Sequence, residues 1–341
     1  MTITLMALAV LLWGWLLLSC LPAGAEAHMP MPYLIALIPL LWVPSLVLAA
    51  VSAYCGAWGL MCAFLLAALM SVARLWPYWL PKRKHETFRE TLSTDDGERH
   101  TAAAALRVMT VNCRYGRADA AAIVREVRER HIDVLATQET TAELVSRLRE
   151  AGIDDILPYH QAGDDKPTDN GGFNALFSRF APTRSTASAI EIPAADVPSM
   201  TVDLLPGPGD VTDEPHHVTF ASAHPKSPMR GCPEWSQGIR ALGSVAKLAT
   251  GNDPQGIVVV MGDLNSSIEH PSFRTLLDSG FSDASRTQAS HRVITFPSWL
   301  KWPHIELDHI LFTPGLHPSN VESFIIPGTD HYALTATLTL D

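Results

Sequence analysis

The chain has 341 residues, enough for two domains of ordinary size, and carries a net charge of −10 at neutral pH. An apolar fraction of 47% excludes an intrinsically disordered chain, and 21 Gly and 5 Cys exclude a collagen-like or disulfide-stapled chain. The acidic balance argues against a protein that binds nucleic-acid phosphates, because such domains are usually basic.

The first 76 residues predict a membrane domain of three transmembrane helices. Glu26 is the single charged residue before Arg74, and apolar runs lie at Ile3–Ala23, Tyr33–Ala53 and Gly56–Ala73. A helix needs roughly 20 apolar residues to cross a bilayer core of about 30 Å. Two other interpretations are a cleaved signal peptide for the first run, which lacks a basic start, and a buried helical core, for which the runs lack a polar face.

Residues 77–105 are polar and are predicted to form a juxtamembrane linker that leads to a soluble region, 106–341. Five basic residues follow the third apolar run closely, at Arg74, Lys82, Arg83, Lys84 and Arg89. The positive-inside rule, taken alone, places the soluble region in the cytoplasm.

The soluble region alternates short apolar runs with helical patterns. Helices are predicted over Ala118–Arg130, Thr141–Glu150, Glu234–Ala249 and Ser272–Ser279. Strands are predicted over Leu106–Val111, Asp133–Thr137, Asn174–Ser178, Thr201–Leu205, Val218–Ala223, Ile257–Met261, Asp308–Phe312, Val321–Ile326 and Tyr332–Leu340, with turn residues at Pro206–Asp210. Many strands with few strict βα repeats predict an α/β fold in which two packed sheets are covered by helices.

Polar side chains stand at the ends of several predicted strands. They are Asn112, Glu139, His224, Asp263 with Asn265, Asp308, and the pair Asp330-His331. A single carboxylate after a strand is most often a cap or a turn residue. Five such ends and an Asp-His pair favour a common site, because a scaffold has no use for crowded, unpaired carboxylates.

In chain order these motifs resemble the endonuclease/exonuclease/phosphatase family. Gly262-Asp263-Leu264-Asn265 is similar to its Gly-Asp-x-Asn signature, Leu307-Asp308-His309-Ile310 to its (Ile/Leu)-Asp-(His/Tyr)-Ile element, and Thr329-Asp330-His331 to its terminal Ser-Asp-His. Gln138-Glu139 resembles the dipeptide that carries the family's metal ligand, and Val111-Asn112 resembles the family's first motif. The resemblance extends over about Leu106–Leu340. It implies a four-layer α/β/β/α sandwich, with two packed mixed sheets flanked by helices, that hydrolyses phosphate esters.

The resemblance also implies a metal site. Glu139 would be the direct ligand of a divalent cation, Mg²⁺ with Mn²⁺ as the alternative, because hard cations prefer oxygen ligands. Asn112 would sit beside it and hold metal or nucleophile through its amide. Asp330 would serve a second cation or its water shell.

Catalytic roles follow from the same resemblance. Asp263 would be the base that takes a proton from water, and Asn265 would align that water. His331 would hydrogen-bond a phosphoryl oxygen. Asp308 would fix the tautomer of His331 and keep it cationic.

Other positions are candidates for substrate contact. His224 stands where the family has Thr-His-Leu, although Pro225 replaces the leucine and stiffens the backbone. Arg179, which follows Ser178, resembles the arginine of a Ser-Arg dipeptide in the family. The alternative is that Arg179 forms a structural salt bridge. Lys226 and Arg230 are interpreted either as contacts to a second phosphate or as solvated loop charges.

Cys113 and Cys232 are the only cysteines of the soluble region. Their spacing leaves open whether they pair. Cys113 adjoins Asn112, but no Cys-His signature accompanies it to support a catalytic thiol.

A lipid-linked phosphate is the substrate class that fits an acidic domain tethered to a bilayer, and no nucleic-acid partner is expected. Three spans, a basic linker and this domain resemble the teicoplanin-resistance membrane proteins of the same family. That resemblance implies undecaprenyl diphosphate as substrate, a role in glycopeptide resistance and, against the basic residues, a multi-pass protein with its catalytic domain outside the cytoplasm. The alternatives are a membrane-tethered nuclease or phosphodiesterase with the same site, and a non-catalytic membrane scaffold. The sequence leaves the oligomeric state open.

Overall fold

A computed structural model describes residues 2–78, 105–166, 168, 170–204, 215–252 and 256–340. Most of the predicted linker, residues 79–104, and the predicted turn Pro206–Asp210 lie outside these ranges. The described chain contains a bundle of apolar helices followed by a sandwich of two sheets.

The apolar bundle contains four α-helices. They are α1 (Thr2–Leu17), α2 (Met31–Ala36), α3 (Trp42–Tyr54) and α4 (Trp58–Ala73), with 3-10 turns at Leu18–Cys20, Ile38–Leu40 and Trp76–Tyr78. Two helical stretches, Thr2–Cys20 and Trp58–Tyr78, are long and apolar enough to cross a membrane, whereas Ile38–Tyr54 is shorter. The described residues therefore contain two helices of spanning length rather than the predicted three, because the middle apolar run is divided by a 3-10 turn at Pro39, a residue without an N–H group.

Many large apolar side chains of the bundle point outward, while others, such as Leu5 and Phe64, pack in its interior. Ile3, Val10 and Leu69 are 83%, 72% and 64% exposed, whereas the small residues Ala49 and Ala67 are buried. In the most apolar window of Thr2–Cys20, only 28% is buried within the chain. In the corresponding window of Trp58–Tyr78, only 22% is buried. A core helix of a soluble protein has the opposite distribution.

The direction of the helices follows from two contacts. Ser71 Oγ, near the end of α4, donates to the carbonyl of Ile38 at 2.8 Å. A short turn, Cys55–Ala57, joins α3 to α4. Helix α3 therefore leads away from the end at which Ile38 lies, and α4 returns to it.

The first sheet has six strands in the order β11-β12-β1-β2-β4-β3. Their bounds are β1 Ala105–Asn112, β2 Val134–Thr140, β3 Tyr159–Ala162, β4 Phe173–Ser178, β11 Leu316–Ile325 and β12 Tyr332–Leu340. Only β1 and β2 run parallel, and they bring Asn112 opposite Gln138.

The second sheet has the order β5-β6-β7-β8-β10-β9. Its strands are β5 Arg184–Thr186, β6 Ser199–Leu204, β7 His216–Ser222, β8 Ile257–Asp263, β9 Ser282–Asp283 and β10 Asp308–Phe312. Strands β7 and β8 are parallel, and the antiparallel pairing of β8 with β10 sets Asp263 directly opposite Asp308.

Helices cover the outer face of each sheet. Their bounds are α5 Ala120–Glu129, α6 Ala142–Glu150, α7 Cys232–Ala241, α8 Gly243–Asn252, α9 Pro271–Asp278 and α10 Ala284–Gln288. Val108 of β1 packs between the sheets, while its neighbour Met109 packs against Ile123 of α5 in the outer cluster. Alternation of this kind buries both faces of the sheet, and the prediction of two packed mixed sheets flanked by helices is confirmed.

Local differences from the predicted elements have simple causes. The helix predicted over Glu234–Ala249 is two helices, α7 and α8, that meet at Leu242. The edge strands β3, β5 and β9 have two to four residues each, too few to give an apolar pattern.

The bundle is attached to the second sheet's helical layer by polar contacts. The carboxylate of Glu26, fully buried, accepts from the backbone N–H of Ser272 at 2.7 Å in the first turn of α9 and from that of Gly24 at 2.7 Å. Arg74 pairs with Glu269 at 2.6 Å. The lone acid of the apolar segment thus caps a helix of the sandwich.

Candidate active site

The polar strand ends predicted to form a site meet at one end of the sandwich. Asn112, at the end of β1 in the first sheet, donates from Nδ2 to Oδ2 of Asp263 at 3.0 Å, at the end of β8 in the second sheet. Asp308 faces Asp263 from β10. The hydrogen bond across the two sheets brings three sequence-distant motifs into one cluster.

Asp263 lies between two imidazoles. Its Oδ2 is 3.3 Å from Nε2 of His224 and 3.6 Å from Nε2 of His331, while Oδ1 accepts from the N–H of Asn265 at 2.8 Å. Burial alone would raise the pKa of Asp263, but the positive charge of His331 and the hydrogen bond and charge of His224 outweigh it and lower the pKa. Asp263 is therefore an ionised acceptor at neutral pH.

His331 is paired with Asp308. Its Nδ1 lies 2.8 Å from Oδ2 of Asp308, and both side chains are buried. Burial would lower the pKa of His331, but the carboxylates of Asp308 and Asp263 raise it to about 10. The imidazole is therefore cationic at neutral pH, in agreement with the role expected for Asp308.

Glu139 is the last residue but one of β2 and lies at a register shift, with a left-handed φ of 50°. Its Oε2 accepts from the N–H of Tyr115 at 3.0 Å, and its Oε1 lies 3.4 Å from Nδ2 of Asn112. The backbone of Gly172 passes so close that a Cβ there would lie 2.4 Å from the carbonyl oxygen of Thr140. A glycine is therefore required next to the strained turn that aims Glu139 into the cluster.

The donor atoms of this cluster fit a divalent metal ion. Within the described ranges, the only ion-pair partner of Glu139 is His224, at 4.0 Å. Oδ1 of Asp308 is buried without a hydrogen-bond partner there, and carboxylate oxygens of Asp263 and Asp308 lie within 4.8 Å of each other. Buried carboxylates with spare oxygens are suited to a hard cation.

Asn265 and Asn170 donate to one backbone carbonyl, and Asn170 in turn contacts His224. Pro225 O accepts from Nδ2 of Asn265 at 3.1 Å and from Nδ2 of Asn170 at 3.0 Å. Asn170 Nδ2 also lies 3.1 Å from Nε2 of His224, and Trp235 Nε1 donates to the carbonyl of Asn265 at 2.9 Å. Pro225, in place of the family's leucine, thus belongs to the framework that orients both predicted residues.

Asn170 is a site residue that the sequence patterns did not single out. It is 3% exposed and contacts His224 from a loop rather than from a strand end. The sequence around it, Asn-Gly-Gly at 170–172, is typical of a turn, so it does not mark Asn170 as a site residue.

Two predicted residues stand apart from the cluster. Asp330 precedes His331, but its carboxylate faces Nε of Arg114 at 3.5 Å, so its metal role stays a prediction. Arg179 pairs with Asp133 at 3.1 Å and lines a different cavity at the opposite end of the sandwich. The structure does not bring Arg179 to this site, because β4 is antiparallel to β2 and ends where β2 begins.

The cluster opens into a cavity of about 520 Å³. Glu139, Asn170, His224, Asp263, Asn265 and His331 form part of its lining, together with Tyr115 and Arg230. Pro32, Tyr33 and Ala36 of the apolar bundle also line it. The catalytic candidates therefore share one cavity with the predicted membrane segment.

The two cysteines of the soluble region are free. Cys113 donates to the carbonyl of Val111 at 3.6 Å and Cys232 to that of Pro228 at 3.3 Å. Burial and the nearby Glu139 charge raise the pKa of Cys113 well above its usual range. A buried thiol that resists ionisation is unsuited to nucleophilic catalysis.

The comparisons with known proteins bear on this site as a whole. The sequence model of the Endonuclease/Exonuclease/phosphatase family matches residues 109–331, more than half of the chain and all of the predicted motifs. No curated protein sequence gives a significant match.

Solved structures share the fold at low sequence identity. An endonuclease/exonuclease/phosphatase from Bacteroides vulgatus is 17% identical, with a TM-score of 0.52 over 70% of this chain and 100% of that one. A mannosyl-6-phosphatase from Bacteroides thetaiotaomicron is 16% identical, with a TM-score of 0.50 over 69% and 100%. D. rerio TDP2, complexed with a single-strand DNA product, is 16% identical, with a TM-score of 0.50 over 69% and 99%.

The matched range begins within β1 and ends at His331, so it contains the second sheet, the first sheet apart from β12 and the start of β1, and every residue of the cluster around Asp263. Members of the matched family hydrolyse phosphate ester bonds with the help of divalent metal ions. The chain belongs to the endonuclease/exonuclease/phosphatase family and is a hydrolase of phosphate ester bonds.

Proposed function

We propose that the chain is an integral-membrane, Mg²⁺-dependent phosphatase whose substrate is a lipid-linked phosphate or diphosphate. The observation that carries the proposal is the combination of a buried hydrolytic cluster and an apolar bundle in one cavity. Undecaprenyl diphosphate is the proposed substrate, and glycopeptide (teicoplanin) resistance is the proposed role.

The apolar bundle supports attachment to a membrane. Many of its large apolar side chains are exposed, among them Ile3, Val10 and Leu69, although the described helices of the bundle have no polar face to meet water. In water, the exposed apolar surface of these helices would promote aggregation. We therefore take the bundle to be embedded in the bilayer.

The path of the helices favours three passes. Helix α1 ends, at Leu17, close to the sandwich, since Arg274 donates to the carbonyl of Ser19, and Arg74 places the end of α4 there as well. Helix α3 leads away between them. The start of α1 then lies on the side opposite the sandwich, and a cytoplasmic start would place the catalytic domain outside the cell. The basic residues after α4 argue for the other orientation, which a reporter fused after Asp341 would test.

The chemistry can be assigned to the residues of the cluster. Glu139 and Asn112 would hold the divalent cation, Mg²⁺ or Mn²⁺, which when bound neutralises charge on the phosphoryl group. Asp263 is ionised and hydrogen-bonds Asn265, so it can accept a proton from a water molecule that Asn265 orients. His331, kept cationic by Asp308, can donate a hydrogen bond to a phosphoryl oxygen as negative charge develops there.

A diphosphate fits the distribution of positive charge in the cavity. His331 and His224 contact Asp263 at its polar end; burial would lower the pKa of His224, but its contacts with the carboxylates of Asp263 and Glu139 raise it. Arg230 lines the same cavity, where its guanidinium donates to the hydroxyl of Tyr115 at 3.3 Å. A second phosphate bound near Arg230 would have a cationic partner.

The proposed function is tested with the purified full-length chain in detergent. We expect phosphate release from undecaprenyl diphosphate in the presence of Mg²⁺, with plasmid DNA left intact. The Asp263→Asn variant is the control for contaminating phosphatases. Cleavage of plasmid without phosphate release would instead support a membrane-tethered nuclease, and an Asp263→Asn variant that still confers resistance would support a non-catalytic scaffold.

A further inference from the structure

The cavity that contains the catalytic cluster is apolar over much of its remaining lining. Phe296, Ile305 and Met229 of the sandwich and Pro32, Tyr33 and Ala36 of the bundle all border it. The ring of Phe296 lies 4.8 Å from that of His331, so apolar surface begins next to the catalytic imidazole. A phosphate held by His331 would therefore have hydrocarbon surface beside it.

Hydrogen bonds hold the bundle residues that border the cavity in place. Nε2 of His270, next to α9, lies 2.8 Å from the carbonyl of Pro32. Trp15 donates from Nε1 to the carbonyl of Leu34 at 2.6 Å. Glu26, six residues before Pro32, caps α9 through Ser272. These contacts hold the short helix α2 to both the bundle and the sandwich. The wall that α2 contributes to the cavity is therefore a fixed part of the fold.

Helix α2 belongs to a part of the chain with much exposed apolar surface. In sequence it lies between α1 and α3, which carry exposed apolar side chains such as Leu11 and Val47. Tyr33 itself is 38% exposed, so it stands at the boundary between the cavity and the surroundings. A hydrocarbon chain that leaves the cavity past Tyr33 would meet apolar surface rather than water.

From this arrangement we infer that α2 is a substrate-specificity element, and that Pro32, Tyr33 and Ala36 bind isoprenoid carbons beyond the first five after the substrate's phosphate, while those first five lie beside Phe296. The inference rests on the proposed function and adds to it a binding subsite for hydrocarbon. It assigns to the membrane segment a direct part in substrate selection, beyond anchoring the enzyme.

The test compares two soluble diphosphates that differ only in hydrocarbon length, dimethylallyl diphosphate with five carbons and farnesyl diphosphate with fifteen. The full-length protein in detergent is assayed with each, and the quantity measured is the ratio of kcat/KM for farnesyl to that for dimethylallyl diphosphate. We expect the wild-type ratio to be about tenfold or more, since a few methylene groups in an apolar pocket give selectivity of this order.

Two variants change the subsite in opposite directions. Tyr33→Ala removes an exposed side chain, and Ala36→Trp fills the space beside it. Both are expected to lower the ratio toward one while leaving kcat/KM for dimethylallyl diphosphate within about threefold of wild type. Met29→Ala, at an exposed position of the same segment outside the cavity, is the matched control and should leave the ratio unchanged.

The outcomes separate the inference from the function on which it rests. A wild-type enzyme that hydrolyses both diphosphates with a ratio near one, or a ratio that Tyr33→Ala does not lower, overturns the subsite and leaves the phosphatase intact. A wild-type enzyme that hydrolyses neither diphosphate removes the proposed function, and the subsite with it.

Discussion

Asp308 and His331 form a buried pair in which Oδ2 of the carboxylate lies 2.8 Å from Nδ1 of the imidazole. The contact sets the tautomer, so that Nε2 faces Asp263 at 3.6 Å. It also supplies most of the attraction that overcomes burial and raises the pKa of His331 to about 10. This one hydrogen bond thus determines both the orientation and the charge of the His331 imidazole, the group proposed to contact the phosphoryl oxygen.

Replacing Asp308 by Asn should move the alkaline limit of activity to lower pH. The cationic form of His331 is lost as pH rises through its pKa, which is about 10 in the wild type. An amide has no charge, so the pKa of His331 should fall toward its ordinary value of about 6.5. The pH dependence of kcat checks this expectation.

The matched control for Asp308→Asn is Asp330→Asn, since Asp330 adjoins His331 in sequence but faces Arg114. We expect a much smaller displacement of the alkaline limb in that variant. Identical pH profiles for wild type and Asp308→Asn would show that His331 is not the group that titrates.

Glu139→Ala should weaken the dependence on the metal ion. Glu139 presents a carboxylate to the cavity and has no Lys or Arg partner within the described part of the chain. Loss of a ligand should raise the Mg²⁺ concentration for half-maximal activity by at least about tenfold. Glu143→Ala, on the exposed side of α6, is the control. An unchanged Mg²⁺ titration in Glu139→Ala would contradict a ligand role.

Much of the sandwich could be predicted because its central strands are buried on both faces. β10 and β12 have the predicted bounds, and Asn112, Asp263 and Asp308 were expected at strand ends because polar groups there interrupt long apolar runs. Asp263 at the end of β8 lies opposite Asp308 at the start of the antiparallel strand β10, and Asn112 reaches them from the other sheet. The pattern of polar residues at strand ends therefore predicts a common site.

Other features depend on contacts that no local pattern encodes. The antiparallel direction of β4 separates Arg179 from Glu139, although the sequence around each resembles a site motif. Asn170 reaches His224 only through the path of a loop. Glu26 looked like an isolated charge in an apolar segment, and only tertiary structure pairs it with the N-terminus of α9.

A second buried charged cluster predicts how stability varies with pH. Nδ1 of His309 lies 2.7 Å from Oδ2 of Asp283 and its Nε2 lies 2.9 Å from the carbonyl of Ser266, so both ring nitrogens donate. Burial would lower the pKa of His309, but Asp283 and Glu306 raise it to about 9. Because the folded-state pKa exceeds the unfolded value of about 6.5, the pair stabilises the fold fully below pH 6.5 and loses this contribution as pH rises through about 9.

The measurement is the urea midpoint of wild type and His309→Gln between pH 6 and pH 10. The wild type should be the more stable protein at pH 6, and the difference between the two midpoints should shrink toward pH 10. His331 titrates in the same range in both proteins, so the difference isolates His309. A difference that does not vary with pH would mean that His309 is neutral in the folded state.

Glu26→Ala should loosen the junction between the apolar bundle and the sandwich. The substitution leaves the buried N–H groups of Ser272 and Gly24 without their carboxylate acceptor, at a cost of about 1–3 kcal/mol. Glu26→Gln keeps one carbonyl acceptor and should be intermediate. The Tm in detergent should therefore rise in the order Ala, Gln, wild type, while Glu129→Ala, at an exposed position of α5, should leave it unchanged. Hydrogen exchange at the Ser272 amide localises the effect, because this amide should exchange faster in Glu26→Ala. An amide that exchanges equally slowly in wild type and Glu26→Ala would show that Glu26 does not hold α9 to the bundle.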